Sequence, residues 1–157
     1  MFKALIFTVL MLPLSALADE SLSAHITVTG HFYVETSCSL SQPSTIAFGD
    51  VITTEVNEGT REENLGLTLT CQNFNPLQDV ILQIDAVDGY ANIIPVSGAK
   101  GIQLALKRNG ADQNLATPIK MTSSGPLNLS VTIVKKTGEP YEPGDFTASA
   151  TIKVDVI

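Results

Sequence analysis

The chain has 157 residues, with nine basic and sixteen acidic side chains that give a formal charge of −7. A surface of that sign repels nucleic acid and anionic lipid, so the composition argues against partners of both kinds. Hydrophobic residues make up 44% of the sequence, which is enough to form a substantial core.

Residues 1–18 have the three parts of a secretory signal peptide. Lys3 supplies the positive charge, residues 4–12 form an apolar run, and residues 16–18 form a small-x-small cleavage site. The apolar run, about nine residues long, is too short to cross a bilayer. A buried helix is the alternative reading. Cleavage would leave one domain of 139 residues with eight basic and sixteen acidic side chains, so we expect a soluble exported product.

The mature chain begins with a long alternating segment at residues 22–34. Its apolar positions are Leu22, Ala24, Ile26, Val28, Gly30, Phe32 and Val34. Alternation of this kind predicts a half-buried β-strand. Gly30 interrupts the apolar face, and a glycine inside a strand usually marks the close approach of another chain segment.

Cys38 and Cys71 are the only cysteines. In an exported chain, two cysteines predict one disulfide bond, with two free thiols as the alternative. Closing a loop of this length stabilises a domain by roughly 3 to 4 kcal/mol in the chain-entropy model.

The middle of the chain predicts short strands separated by turns. Alternating residues indicate strands at 65–71, 80–86, 102–106 and 127–133, and Asn109-Gly110 is a strong hairpin signal. Pro118 confines residues 115–121 to a sheet edge. We expect an acidic surface loop at residues 50–64, with at most a short edge strand, irregular structure at 88–100, and no helix of useful length. This pattern predicts an antiparallel β-sandwich of immunoglobulin-like type.

A last strand is expected at residues 144–157, after a turn at Pro143-Gly144. Its inward face would carry Phe146, Ala148, Ala150, Ile152, Val154 and Val156. Because no further strand follows, its free edge needs a neighbour from elsewhere in the chain or from another molecule.

No catalytic, cofactor or metal site is predicted. His25 and His31 lie about 20 Å apart along one extended segment, so they cannot serve one metal ion or one nucleophile. The carboxylates at residues 55–63 suit a solvated loop. No nucleophile elbow, zinc-binding helix or phosphate loop occurs. A hydrolase that uses only carboxylates remains a remote alternative.

Several features in a fixed order resemble the pilins of chaperone-usher fimbriae, and most closely the minor subunits of type 1-like fimbriae. They are the alternating extension with Gly30, the pair Cys38 and Cys71, Phe48-Gly49, residues 101–104, and the glycine, phenylalanine and alanines of 144–150. The resemblance covers nearly the whole mature chain. One departure is that family members usually carry an aromatic residue in the last two positions, where this sequence has Val156-Ile157.

The resemblance implies an incomplete immunoglobulin-like sandwich at residues 35–157 that lacks its last strand. A periplasmic chaperone would fill the groove first, and the N-terminal extension of the next subunit would then replace it at the outer-membrane usher, which is the known mode of strand addition in pilins. In this chain the corresponding extension is residues 19–34. The donor residues would be Leu22, Ala24, Ile26, Val28, Gly30 and Phe32. The acceptor groove would be formed by Phe146, Ala148, Ala150, Ile152, Val154 and Val156.

The function that follows from the resemblance is that of a structural subunit, without enzymatic activity, in a surface fimbrium that supports adhesion. The alternative is a secreted β-sandwich or adhesin that recognises a glycan or protein through its loops. Two-domain adhesins are about twice as long and have a lectin domain where this chain has its extension, so the length favours the structural subunit.

Overall fold

The computed structural model describes residues 25–41 and 45–157. The expected signal peptide at 1–18 and the donor residues Leu22 and Ala24 lie outside the described residues. Residues 25–36 contain no strand, and the compact part of the chain begins at Tyr33. Within the described ranges, no helix is both long enough and apolar enough to span a membrane.

The compact part is an antiparallel β structure with one short helix. The strands are β1 (Ser37–Ser41), β2 (Glu62–Asn64), β3 (Thr68–Gln72), β4 (Val80–Asp85), β5 (Ile93–Ile94), β6 (Ser97–Lys100), β7 (Ile102–Arg108), β8 (Ala111–Asp112), β9 (Ile119–Met121), β10 (Gly125–Pro126), β11 (Leu129–Lys135), β12 (Glu142–Thr147) and β13 (Thr151–Val156). The helix α1 is Thr53–Glu58.

Two layers enclose the core. The first contains β1-β3-β10 and β2-β11-β7-β5, joined where Leu65 N donates to Leu129 O at 2.9 Å and Leu127 N donates to Leu67 O at 2.9 Å. The second is β13-β4-β9. Their inward apolar side chains form one cluster, in which Leu69, Leu82, Leu106, Leu127, Leu129 and Ile133 are nearly inaccessible to solvent. The predicted immunoglobulin-like β-sandwich class is therefore confirmed.

Several local predictions are also confirmed. Cys38 and Cys71 form a disulfide bond and lie opposite each other in the β1-β3 pair. Asn109 and Gly110 both have positive φ, 51° and 78°, as a tight hairpin turn between β7 and β8 requires. Beyond Pro118, β9 pairs only with β4 and forms the expected sheet edge.

The helix α1 corrects the expectation of a loop at residues 50–64. Glu55 Oε2 accepts a hydrogen bond from Ile52 N at 3.0 Å, and Gly59, with φ 63°, ends the helix in the left-handed conformation. Val56 is the buried side chain. A helix of six residues is too short to show a clear 3.6-residue period, which explains why the sequence pattern did not reveal it.

The expected single strand at residues 144–157 is wrong. It consists of two strands, β12 and β13, which are separated by residues 148–150 and belong to different sheets. Pro143 and Gly144 lie within β12 and do not form the turn. The partner of β12 is β6, in the stretch expected to be irregular.

Candidate functional site: an open groove beside the last strand

The strand β13 is paired along one edge only within the described part of the chain, where its partner is β4. Asp79 and Ile157 exchange both main-chain hydrogen bonds, at 2.8 and 2.9 Å. Because hydrogen-bonded and non-hydrogen-bonded pairs alternate in an antiparallel ladder, the N–H and C=O groups of Ile152, Val154 and Val156 point away from β4. The second edge of β13 is therefore an unused template for another strand.

The side chains of β13 separate by face. Ile152, Val154 and Val156 are partly buried and pack against the core, whereas Lys153 and Asp155 are exposed. The residues with unpaired main-chain groups are thus also those with inward apolar side chains. An incoming strand could extend the sheet and the core together.

Two cavities, of about 460 and 520 Å³, share a boundary formed by Ile46, Phe48 and Phe146. The Phe48 and Phe146 rings pack with their centroids 6.0 Å apart. The second cavity reaches core residues of both layers, among them Ile84, Leu104 and Val131. We call the two cavities and the adjoining edge of β13 the groove. The second cavity is lined mainly by apolar residues, whereas the lining of the first also includes charged residues such as Lys100 and Glu142.

Residues 45–51 form the wall opposite β12 and β13, and we call them the groove wall. They contain no strand. Their one hydrogen bond with the rest of the described chain comes from Arg61, whose Nη2 donates to Phe48 O. Arg61 also lies 3.5 Å from Glu63 Oε1. Most main-chain groups of the groove wall therefore have no partner in the described residues.

Four of the predicted acceptor residues line the second cavity: Phe146, Ala148, Ala150 and Ile152. Val154 and Val156 continue the same inward face along β13 but line neither cavity. The prediction missed the opposite wall at Ile46 and Phe48. The Phe48-Gly49 pair was noted in the sequence, but nothing in its local pattern shows that it faces the last strand.

The predicted donor residues that lie within the described ranges are almost fully exposed. Ile26, Val28 and Phe32 have 81%, 88% and 96% of their surface accessible. A Cβ added at Gly30 would meet no heavy atom within 4 Å. Apolar side chains arranged on one face of an exposed segment are costly to leave in water unless a partner covers them.

The ionisable residues that the sequence drew attention to have ordinary structural surroundings. His25 and His31 are exposed. Glu62 accepts hydrogen bonds from Lys107 Nζ at 3.2 Å and Thr132 Oγ1 at 3.1 Å. Hydrogen bonding from Ser130, followed by that from Lys107, lowers the pKa of Glu62. In the described ranges, no group of three or more His, Cys, Asp or Glu side chains is placed to hold a metal ion.

Comparisons with known proteins agree with this geometry. A family model described as fimbrial protein matches residues 24–156. A search of curated proteins found no match. The crystal structure of the P pilus rod subunit PapA is similar, with a TM-score of 0.58 and 18% identity over 82% of this chain and 97% of that one.

A second similar structure comes from a study of a chaperone-usher pilus and the molecular basis of rod uncoiling. Its TM-score is 0.60, with 17% identity over 86% of this chain and 96% of that one. At this level of identity, the two structures support the fold.

Proposed function

This chain belongs to the fimbrial protein family, and on that basis we propose that it is a structural, non-enzymatic subunit that joins its neighbours by donating residues 22–32 to their grooves. The observation that carries the proposal is the combination of an unpaired apolar edge on β13 with an exposed apolar segment elsewhere in the same chain. The segment could supply the strand that the edge of β13 lacks, and the groove could cover the apolar side chains that the segment exposes.

The energetics favour filling the groove. Burying Leu22, Ile26, Val28 and Phe32 would contribute roughly 6 to 12 kcal/mol as an upper bound, before the main-chain hydrogen bonds are counted. That is comparable with the stability of a whole domain. Donor addition would therefore be a major part of the stability of the assembled subunit.

Strand direction favours a donor from another copy. Ile157, which follows β13, and Thr36, where the chain enters the domain, lie at the same end of the domain, because Ile157 pairs with Asp79 and Thr36 N donates to Gln78 Oε1 at 2.8 Å. The chain's own extension could enter only parallel to β13, after reversing direction within Tyr33, Val34 and Glu35. A second copy can present its extension antiparallel, which is the more stable pairing and matches the rest of the sandwich.

The partners proposed with this function are a periplasmic chaperone that protects the groove before assembly, an outer-membrane usher and neighbouring pilins. The place of action is the fimbrium on the cell surface, after passage through the periplasm. A minor position in the fibre, and support of adhesion, are part of the proposal. They derive from the family resemblance.

Donor addition can be tested with a chain that accepts but cannot donate. We define the double-aspartate chain as the mature protein carrying Ile26→Asp and Val28→Asp, in which two charges would enter an apolar groove unpaired. A synthetic peptide of residues 21–34 should raise its unfolding midpoint by about 10 °C when present at about 100 times its Kd. The control is the same peptide with the two aspartates.

A large shift with the native peptide and none with the control peptide would support donor addition. If neither peptide changes the unfolding midpoint of the double-aspartate chain, the sandwich is complete without a donor and the proposed function is wrong. A binding protein of the adhesin type would give that second result.

A further inference from the structure

A group of exposed apolar residues lies at the end of the sandwich where the chain enters the domain. It consists of Val34, Phe74, Leu77 and Ile157, which have 57%, 36%, 75% and 74% of their surface exposed. We call these four residues the exit patch. They come from three separate parts of the sequence, so no alternating pattern reveals them.

A polar network fixes the exit patch to one end of the sandwich. The buried Thr36 donates from Oγ1 to Asn73 O at 3.0 Å and accepts from Asn75 N at 2.9 Å. Asn75 Oδ1 in turn accepts from Leu77 N at 2.9 Å. Leu77 belongs to this network, and Ile157 belongs to the Asp79-Ile157 pair. Val34 and Phe74 lie within two residues of the network along the chain. The exit patch therefore has a defined location near Thr36.

The length of chain between donor and domain limits how far away the neighbour can be. Phe32 is the last donor residue and Thr36 is the first anchored one, so four residue steps separate them. A fully extended chain covers at most about 14 Å in four steps. A copy that holds Phe32 in its groove must therefore lie close to the exit patch.

We propose that the exit patch is a docking surface for the second copy of this chain that holds the extension. The inference rests on the proposed function, because the extension brings the second copy to this place. The contact would join two different surfaces, since one copy offers its exit patch and the other offers the rim of its groove. Head-to-tail contacts of that kind generate open fibres.

The contact would limit bending at each joint of the fibre. With donor insertion alone, the three residues Tyr33, Val34 and Glu35 would act as a short tether between two domains. Covering the exposed apolar surface of Leu77 and Ile157 would add a second point of attachment, and two attachments fix the relative orientation of the domains better than one.

The test measures whether Leu77 becomes buried on assembly. Hydroxyl-radical labelling of Leu77 is measured in two samples. One is fibres assembled from the native mature chain, and the other is the unassembled double-aspartate chain, which cannot donate. We expect labelling of Leu77 to fall at least fivefold in the fibres. Labelling of Ile26 and Phe32 in the native fibres reports separately on donor insertion.

A charge variant extends the test to mechanics. Leu77→Asp should at least double the spread of angles between successive subunits in electron micrographs of the fibres. Its control is Thr70→Asp, which adds the same charge at an exposed position in the middle of β3, outside the exit patch. Peptide binding to the groove should be unchanged in both variants, because neither residue lines the groove.

The outcomes separate this inference from the proposed function. If Ile26 and Phe32 are protected in fibres while Leu77 is labelled as in the double-aspartate chain, donor insertion stands and the docking surface is refuted. In that case the exit patch faces another partner or remains in solvent. If no fibre forms and Phe32 stays labelled, both proposals fail.

Discussion

Arg61 holds the groove wall through one hydrogen bond to a main-chain carbonyl. Its Nη2 bonds to Phe48 O, and a Cβ added at Gly49 would lie 3.8 Å from the same nitrogen. The Arg61 Nε is buried and has no hydrogen-bond partner among the described residues. Because hydrogen bonds to charged groups are worth about 1.5 to 3 kcal/mol, this contact helps to keep Phe48 against Phe146.

We therefore predict that Arg61→Gln weakens the groove more than it weakens the domain. The shorter amide cannot reach Phe48 O, so the groove wall loses its polar attachment. The unfolding free energy should fall by about 1.5 to 3 kcal/mol, and the donor peptide should bind at least tenfold more weakly. Denaturant unfolding and peptide titration of the double-aspartate chain measure the two effects.

Arg108 provides the matched control for this experiment. Its side chain donates a hydrogen bond to Met121 Sδ at 3.9 Å, and it lines neither cavity of the groove. Arg108→Gln should leave peptide affinity unchanged. Equal losses of affinity in the two variants would show that Arg61 has no special relation to the groove wall.

At the scale of secondary-structure elements, the pairing of β6 with β12 places Phe146 in the groove. Phe146 lies opposite Gly98 in this pair. Gly98 has φ 102°, and a Cβ there would lie 2.0 Å from Asp145 O. A side chain at position 98 would therefore push β12 away and carry Phe146 out of its contact with Phe48.

The corresponding prediction is that Gly98→Ala destabilises the domain by about 3 kcal/mol or more, since main-chain collision adds to conformational strain. Gly138 is the control, because its φ is 84° but a Cβ there would meet nothing within 4 Å. Gly138→Ala should cost only about 1 to 2 kcal/mol. Chemical denaturation of both variants measures the difference, and equal costs would contradict the close approach of β6 and β12.

The elements that could be predicted from sequence are strands in which apolar and polar residues alternate without interruption. This holds for β4, β7 and β11, and for the turn at Asn109-Gly110, where positive φ demands these residue types. Prediction failed at β6, because Gly98 resembles a chain breaker when no information about Asp145 is available. The alternation of apolar and polar residues also continues through residues 148–150, so it does not show that strand pairing is interrupted between β12 and β13.

The side of the groove formed by the last strand could be predicted from the sequence, whereas the groove wall could not. The inward positions of β13 are encoded by local alternation, which is also the basis of the predicted donor positions of the extension. The groove wall has no strand of its own and meets Phe146 through contacts nearly 100 residues away in the chain. Such contacts depend on the tertiary fold, which no local pattern records.

At the scale of the whole molecule, the two ends of the chain have complementary defects. One end carries apolar residues without a core, and the other carries a core strand that is paired along only one edge within the described residues. Since the chain's own extension could enter only in the parallel direction, the two defects are best resolved between copies. The central claim is therefore that an incoming donor pairs with the second edge of β13.

Amide hydrogen exchange of β13 tests this claim residue by residue. In the double-aspartate chain, the amides of Ile152, Val154 and Val156 should exchange quickly, whereas those of Lys153 and Asp155 should be protected by β4. Adding the peptide of residues 21–34 should slow exchange at Ile152, Val154 and Val156 at least a hundredfold and leave the alternate positions nearly unchanged. Unchanged exchange at those three amides in the presence of bound peptide would contradict donor pairing along β13.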